Sequence, residues 1–208
     1  DLERQLLLMS DLAGLDIKGT ARRPEDPSGG GGLDLEITFT RATGRVSLDN
    51  LGDPSAGPVE LAGQLNFNDV FRLFESTRVV AMTIPDQPKE LMFFQLNQDV
   101  PIGTRGLHAG YILTGLTSQP DDPEPIDIQV DVLQLTVFGR YPLLRTIERS
   151  LFGELGFEAR DNNVDIMGNP VLRSRVRWLS AGLKLEQALP RGIAKVDARV
   201  GQGIDGLG

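Results

Sequence analysis

Arg173, Arg175 and Arg177 recur at every second residue of the stretch 172–180, which reads as a strand with Leu172, Val176 and Trp178 on its other face. Side chains at that spacing rise from one face with their Cα atoms roughly 7 Å apart. Three guanidinium groups so placed repel one another unless acidic neighbours or an anionic partner neutralise them. Two neutralisers are open. One is a cross-strand stripe such as Asp127 and Asp131, which has the same period. The other is an acidic protein surface or lipid headgroups. These three arginines, with Leu91 and Phe93 from a run of consecutive apolar residues, are the positions assigned to partner binding.

Other residues with chemical potential fall short of a site. His108 is the only histidine, so a triad or a multi-histidine metal centre within the chain is incomplete. Asp161, Asn163 and Asp165 have the opening spacing of a calcium loop, but Ile166 stands where the loop needs glycine and Leu172 where it needs a bidentate glutamate. A hydrogen-bonded turn over 161–163 is the expectation instead. Asp121, Asp122, Glu124, Asp127 and Asp131 form an acidic cluster that reads as a solvated loop and strand edge. The four glycines at 29–32 lack both the preceding strand and the Lys-Ser/Thr ending of a phosphate loop. No catalytic residue, cofactor or metal ligand is assigned, and the chain is read as not an enzyme.

The elements that would carry these residues are signalled by period-two alternation. Between Pro125 and Gly139, Ile126, Ile128, Val130 and Val132 alternate with Asp127, Gln129 and Asp131. At Val132–Leu133 the phase slips, and Leu133, Leu135 and Val137 carry the apolar set. A one-residue slip moves every later side chain to the other face; a β-bulge near Val132, or passage between two packing layers, would account for it. Beyond Gly139, Pro142 with Leu143, Leu144, Ile147 and Leu151 predicts an amphipathic helix ending at Gly153. Further alternation predicts strands over 33–40, 45–48, 59–67, 79–84, 91–96, 107–116, 172–180 and 193–200, the second pairing with the first as a hairpin. Asn68 is read as the cap of a short helix containing Val70, Phe71, Leu73 and Phe74.

The fold class expected is α+β and β-rich: a mainly antiparallel curved sheet or sandwich of about nine strands, with two or three covering helices. Its organisation is an N-terminal amphipathic helix and lead-in over 1–21, a Gly/Pro linker over 22–32, a single β-rich domain over 33–200 and a glycine-rich tail over 201–208.

Bulk properties narrow the function classes. The 208 residues, 40% hydrophobic and 24% charged, are enough to fold without a metal or disulfide. The absence of cysteine excludes thiolate chemistry. A net charge of −8 argues against nucleic acid as a partner. No apolar run approaches the roughly 18 residues of a membrane-crossing helix. Asp1 stands where a methionine would begin a primary product, which suggests processing or excision from a longer polypeptide.

Three functions are carried forward. The first is a structural or assembly subunit of a larger, membrane-associated complex, with other protein subunits as partners. Membrane contact is expected only indirectly or through a segment before Asp1, and an extracytoplasmic site is favoured. The proportions resemble those of extracytoplasmic β-rich domains that follow a membrane anchor. The second is a carrier or sensor of a hydrophobic ligand such as lipid, lined by Phe71, Phe74, Phe93, Phe94, Tyr111 and Trp178. The third is an aspartate- or metal-dependent hydrolase, supported only by the loose acidic clusters.

Overall fold

The structure, a computed structural model, describes residues 2–23, 30–50, 57–120 and 126–205. One short helix, α1 (Leu2–Ser10), leads into β1 (Leu15–Arg22) and β2 (Gly32–Phe39). Then follow β3 (Ala42–Asp49), β4 (Glu60–Asn68), β5 (Ser76–Thr83), β6 (Met92–Ile102), β7 (Leu107–Ser118), β8 (Ile128–Arg145), β9 (Arg149–Ile166), β10 (Asn169–Leu189) and β11 (Gly192–Gly203).

β3 to β11 form one nine-stranded antiparallel sheet in which every strand pairs with its neighbours in sequence. That is the simplest meander, made by hairpins alone. The sheet is open, with β3 and β11 at its edges. β1 and β2 form a separate two-stranded sheet in which Arg22 pairs with Gly32 across the described ends of the connector. Most of the 22–32 linker, over 24–29, lies outside the described residues, as does the end of the tail over 206–208. The tail's Gly201 and Gly203 belong to β11 and pair with Ser180 and Trp178 of β10.

The β-rich, antiparallel class holds, but the covering helices do not. Among the described residues α1 is the one helix. The helix expected over 142–153 is instead the end of β8, a turn at 146–148 and the start of β9. Its 3.6-residue pattern was the sum of two strand ends. A bulge between Pro142 and Leu144 puts Leu143 and Leu144 out of strict alternation. Ile147 lies in the turn that Thr146 closes by accepting from the Arg149 N–H at 3.0 Å. Pro142, which suits the first turn of a helix, equally suits a bulge, where no ladder donor is lost.

Three smaller expectations are corrected. β3 pairs with β4 rather than with β2. Residues 161–163 lie mid-strand in β9, not in a turn. The segment containing Val70 to Phe74 is an irregular β4–β5 connection in which Asp69, Arg72 and Phe74 all have positive φ (57°, 61° and 55°). Left-handed backbone at three side-chain-bearing residues is incompatible with a helix.

α1 is fixed at the end of the sheet where the β6–β7, β8–β9 and β10–β11 turns gather. Leu8, one of the few buried apolar residues among those described, packs against Gly106 beside the buried Pro142. Arg145 donates to Asp11 at 3.0 and 2.7 Å, and Ile147 N–H donates to Glu3 at 2.8 Å.

Candidate functional site

The sheet has no conventional core. On β8, Leu133, Leu135 and Val137 are 57%, 37% and 45% exposed, whereas Gln134 and Thr136 between them are half-buried. The same inversion recurs on β10, where Leu179 and Leu183 are exposed while Ser180 and Lys184 are half-buried. In water an antiparallel sheet does the opposite, burying its apolar set and solvating its polar set.

Register makes the two faces continuous. Paired residues share a face, so Val46, Gly63, Ala81, Phe94, Gly115 and Leu133 form one row across six strands. Leu65, Val79, Leu96, Leu113, Leu135 and Ala159 form the next row on that face. Between them, on the opposite face, run Arg45, Gln64, Val80, Gln95, Thr114, Gln134 and Arg160, polar at every strand but β5. The polar face is laced by side-chain hydrogen bonds: Arg78 to Asn66 at 2.9 Å, Asn66 to Thr43 at 3.1 Å and Gln95 to Thr114 at 3.3 Å.

Charges on the polar face alternate across strands. Asp99 lies 2.6 Å from Nδ1 of His108, which is only 8% exposed, and 3.4 Å from Arg140. Arg199 reaches Glu154 at 3.4 Å. Glu186 sits between Lys195 at 3.1 Å and Lys184 at 3.7 Å. The hydrogen bond from Lys195 outweighs burial and, with the attraction of both lysines, holds the Glu186 carboxyl below its ordinary value.

At the end of the sheet nearest the β9–β10 turn, the two faces exchange character. Val132, Leu116, Phe93 and Met82 form an apolar row on the otherwise polar face. On the otherwise apolar face stand Asp131, Asn163 and Arg173 in register. The phase slip at Val132–Leu133 is this exchange. The register of β8 runs through it without a bulge.

The arginine stripe lies in this polar margin. Arg173 pairs with Asp165 at 2.6 Å and Arg177 with Asp161 at 2.7 Å. The neutralising carboxylates therefore come from β9, and the calcium-like spacing of 161, 163 and 165 is an alternation along that strand. Asp131 accepts from Thr117 and Gln129, and Asp127 from Gln119. Asp121, Asp122 and Glu124 lie outside the described residues. Phe93 is on the opposite face from the arginines, and Leu91 precedes β6, so the assigned partner-binding residues do not form one patch. The aromatic set divides too: Phe71 and Tyr111 line a groove on the apolar face, while Trp178 is on the polar one.

Glu75 gave no signal in the sequence. It is fully buried at the end of the β4–β5 connection, where it accepts from the N–H groups of Phe71 at 2.7 Å and Leu73 at 3.1 Å. Burial would raise its carboxyl, but donors from Phe71, its own backbone, Leu73 and Val70 together hold it below the ordinary value.

No family model matches the chain, and no curated protein matches it. Solved structures do. CdiB from Escherichia coli is 18% identical, with a TM-score of 0.77 over 97% of this chain and 38% of that one. CdiB from Acinetobacter baumannii is 14% identical, with a TM-score of 0.66 over 94% of this chain and 39% of that one. The chain thus shares its fold with these proteins and spans well under half of their length.

Proposed function

We propose that this chain forms a sector of a membrane-spanning β-barrel of the outer-membrane type, acting with other proteins in secretion or assembly rather than as an enzyme. The observation that carries the reading is the inverted exposure of β8: Leu133, Leu135 and Val137 out, Gln134 and Thr136 in. A sheet facing lipid on one side and an aqueous lumen on the other has this pattern.

The dimensions agree. From Leu133 to Tyr141 the apolar phase of β8 runs roughly 26 Å along the strand at about 3.3 Å per residue. A tilt of about 40° projects this to a little over 20 Å, close to the ~25 Å apolar band of such barrels. The exchange of faces beyond Leu133 is the place where strands leave the hydrocarbon. Unpaired strand edges do not persist in lipid, so in a membrane β3 and β11 pair with further strands. Nine strands already exceed the eight whose side chains fill a barrel's interior, so the closed form has an aqueous lumen. A lumen lined by alternating charges and amides suits the passage or docking of polypeptide. The fold shared with the two CdiB structures supports the assignment to secretion or assembly.

The membrane reading brings the sheet itself into contact with lipid, rather than an anchor before Asp1. It is tested by single-cysteine scanning in lipid vesicles, for which the cysteine-free chain needs no background changes. Cysteines at 134 and 136 are expected to react with a water-soluble maleimide, and those at 133, 135 and 137 to be protected. Uniform labelling along β8 would remove the proposal.

A further inference from the structure

The β4–β5 connection is the place where the apolar face acquires a built cavity. Phe67, Thr77, Gln98 and Tyr111 form one register row on that face, close to the end where the strands turn. Val70 and Phe71 fold back beside this row and, with Leu96, complete a groove of about 610 Å³. In its floor the Thr77 hydroxyl donates to the Gln98 side-chain carbonyl at 2.7 Å, and Phe67, Val70, Phe71 and Leu96 make the rest of the lining apolar apart from Tyr111. The mostly apolar lining therefore suits an apolar occupant, with the Tyr111 hydroxyl and the Gln98 amide as its few polar groups.

The loop is held in shape. Asp69, Arg72 and Phe74 carry positive φ without being glycine, a costly arrangement that persists only where surroundings enforce it. Buried Glu75 enforces it through the Phe71 and Leu73 N–H groups, and the Asp69 carboxylate accepts from the Phe74 N–H at 2.8 Å. Those bonds aim Val70, Phe71, Leu73 and Phe74 outward, all four being exposed. A soluble loop has no cause to fix four apolar side chains in water with a buried carboxylate. A loop at the border of a bilayer does, because immobilised side chains lose less entropy when they take up a ligand.

We propose that the β4–β5 connection is a preformed clasp that seats a lipid acyl chain against Phe67, Leu96 and Tyr111, with Glu75 as the residue that sets the clasp. The inference rests on the membrane reading above and adds to it a specific lipid site at one rim. The occupant is an acyl chain of the surrounding bilayer because the groove opens on, and is continuous with, the apolar face.

The test uses tryptophan fluorescence. Trp178 is the only tryptophan, so W178F combined with F71W places the one emitter at the clasp. W178F combined with L135W places it in the middle of the apolar band. Both are placed in phosphatidylcholine vesicles brominated either near the headgroup end or near the terminus of the acyl chain. The expected result is loss of most F71W emission with headgroup-proximal bromine, and stronger quenching of L135W by the terminal bromine. E75Q in the F71W protein is expected to abolish most of that quenching and shift emission to the red, while leaving L135W unchanged.

L135W quenched with F71W unquenched overturns the clasp and spares the membrane reading. Loss of quenching at both positions overturns both. F71W protected from aqueous quenchers in a concentration-dependent way without lipid would show a second copy in the groove, and would also overturn the proposal. F71W quenched equally with and without Glu75 would overturn the role of that residue.

Discussion

Nη2 of Arg177 lies 2.7 Å from Oδ1 of Asp161, an ion pair that crosses from β10 to β9 at the margin of the apolar face. Arg177 shares its row with Leu135 and Ala159, and Asp161 shares the next with Leu133. The pair thus marks the level at which the outward surface passes from apolar to charged. Because Asp161 is more than a third exposed, its coupling is modest. A double-mutant cycle between Asp161→Asn and Arg177→Gln is expected to give about 1 kcal/mol in urea unfolding from vesicles. Arg175→Ala, at an exposed position, should stay within about 0.5 kcal/mol of the parent. A coupling near zero would mean that the stripe is held for another reason.

The two faces predict opposite responses to charge. Leu135→Arg places a guanidinium in the apolar band and should destabilise the membrane-inserted state by about 2–4 kcal/mol. Thr136→Arg, one residue on, faces the polar side, where Glu158 is its register partner, and should change stability by less than about 1 kcal/mol. Folding yield into vesicles over a urea series reads both. Equal penalties would contradict a sheet with one lipid face.

The Glu75 carboxylate gives the clasp a pH dependence of known sign. Its folded value is depressed below the ordinary 4.5, so its contribution to stability is present above that value. It is lost as pH falls through the folded value. Acid should therefore loosen the 69–75 segment before the sheet ladders open, which amide hydrogen exchange at Phe71 and Leu73 would detect. Glu75→Ala strands those donors and is expected to cost about 1–3 kcal/mol at neutral pH. Unchanged exchange across the acid range would show that other contacts hold the loop.

Gly106 has a φ of +81°, and a Cβ there would lie 2.5 Å from Leu8 and 2.8 Å from Pro142. Gly106→Ala both strains the backbone and pushes α1 off the sheet. The helix should become protease-sensitive while the nine-stranded sheet keeps its circular dichroism. Survival of α1 under limited proteolysis would show that Glu3 and Asp11 hold the helix without Leu8.

Much of this arrangement is legible in the sequence, because period-two alternation follows from the pleat and does not depend on the neighbours. The alternation in β8 and the antiparallel class come directly from residue order. Its phase slip at Val132–Leu133 was visible too, but its meaning was not. Alternation says that a strand has two different faces, and it does not say which one meets solvent. For β8 the tertiary structure leaves Leu133 exposed and gathers Gln134 among other polar side chains, reversing the assumption that apolar means inside. The helix expected after Gly139 failed for a related reason. Leu144, Ile147 and Leu151 sit at helical intervals only when a turn is counted as though the chain ran straight. The roles of single polar residues were not legible, because long-range packing alone gives them. Glu75 acquires one from the N–H groups that converge on it, and Asp161 from an arginine delivered by the next strand.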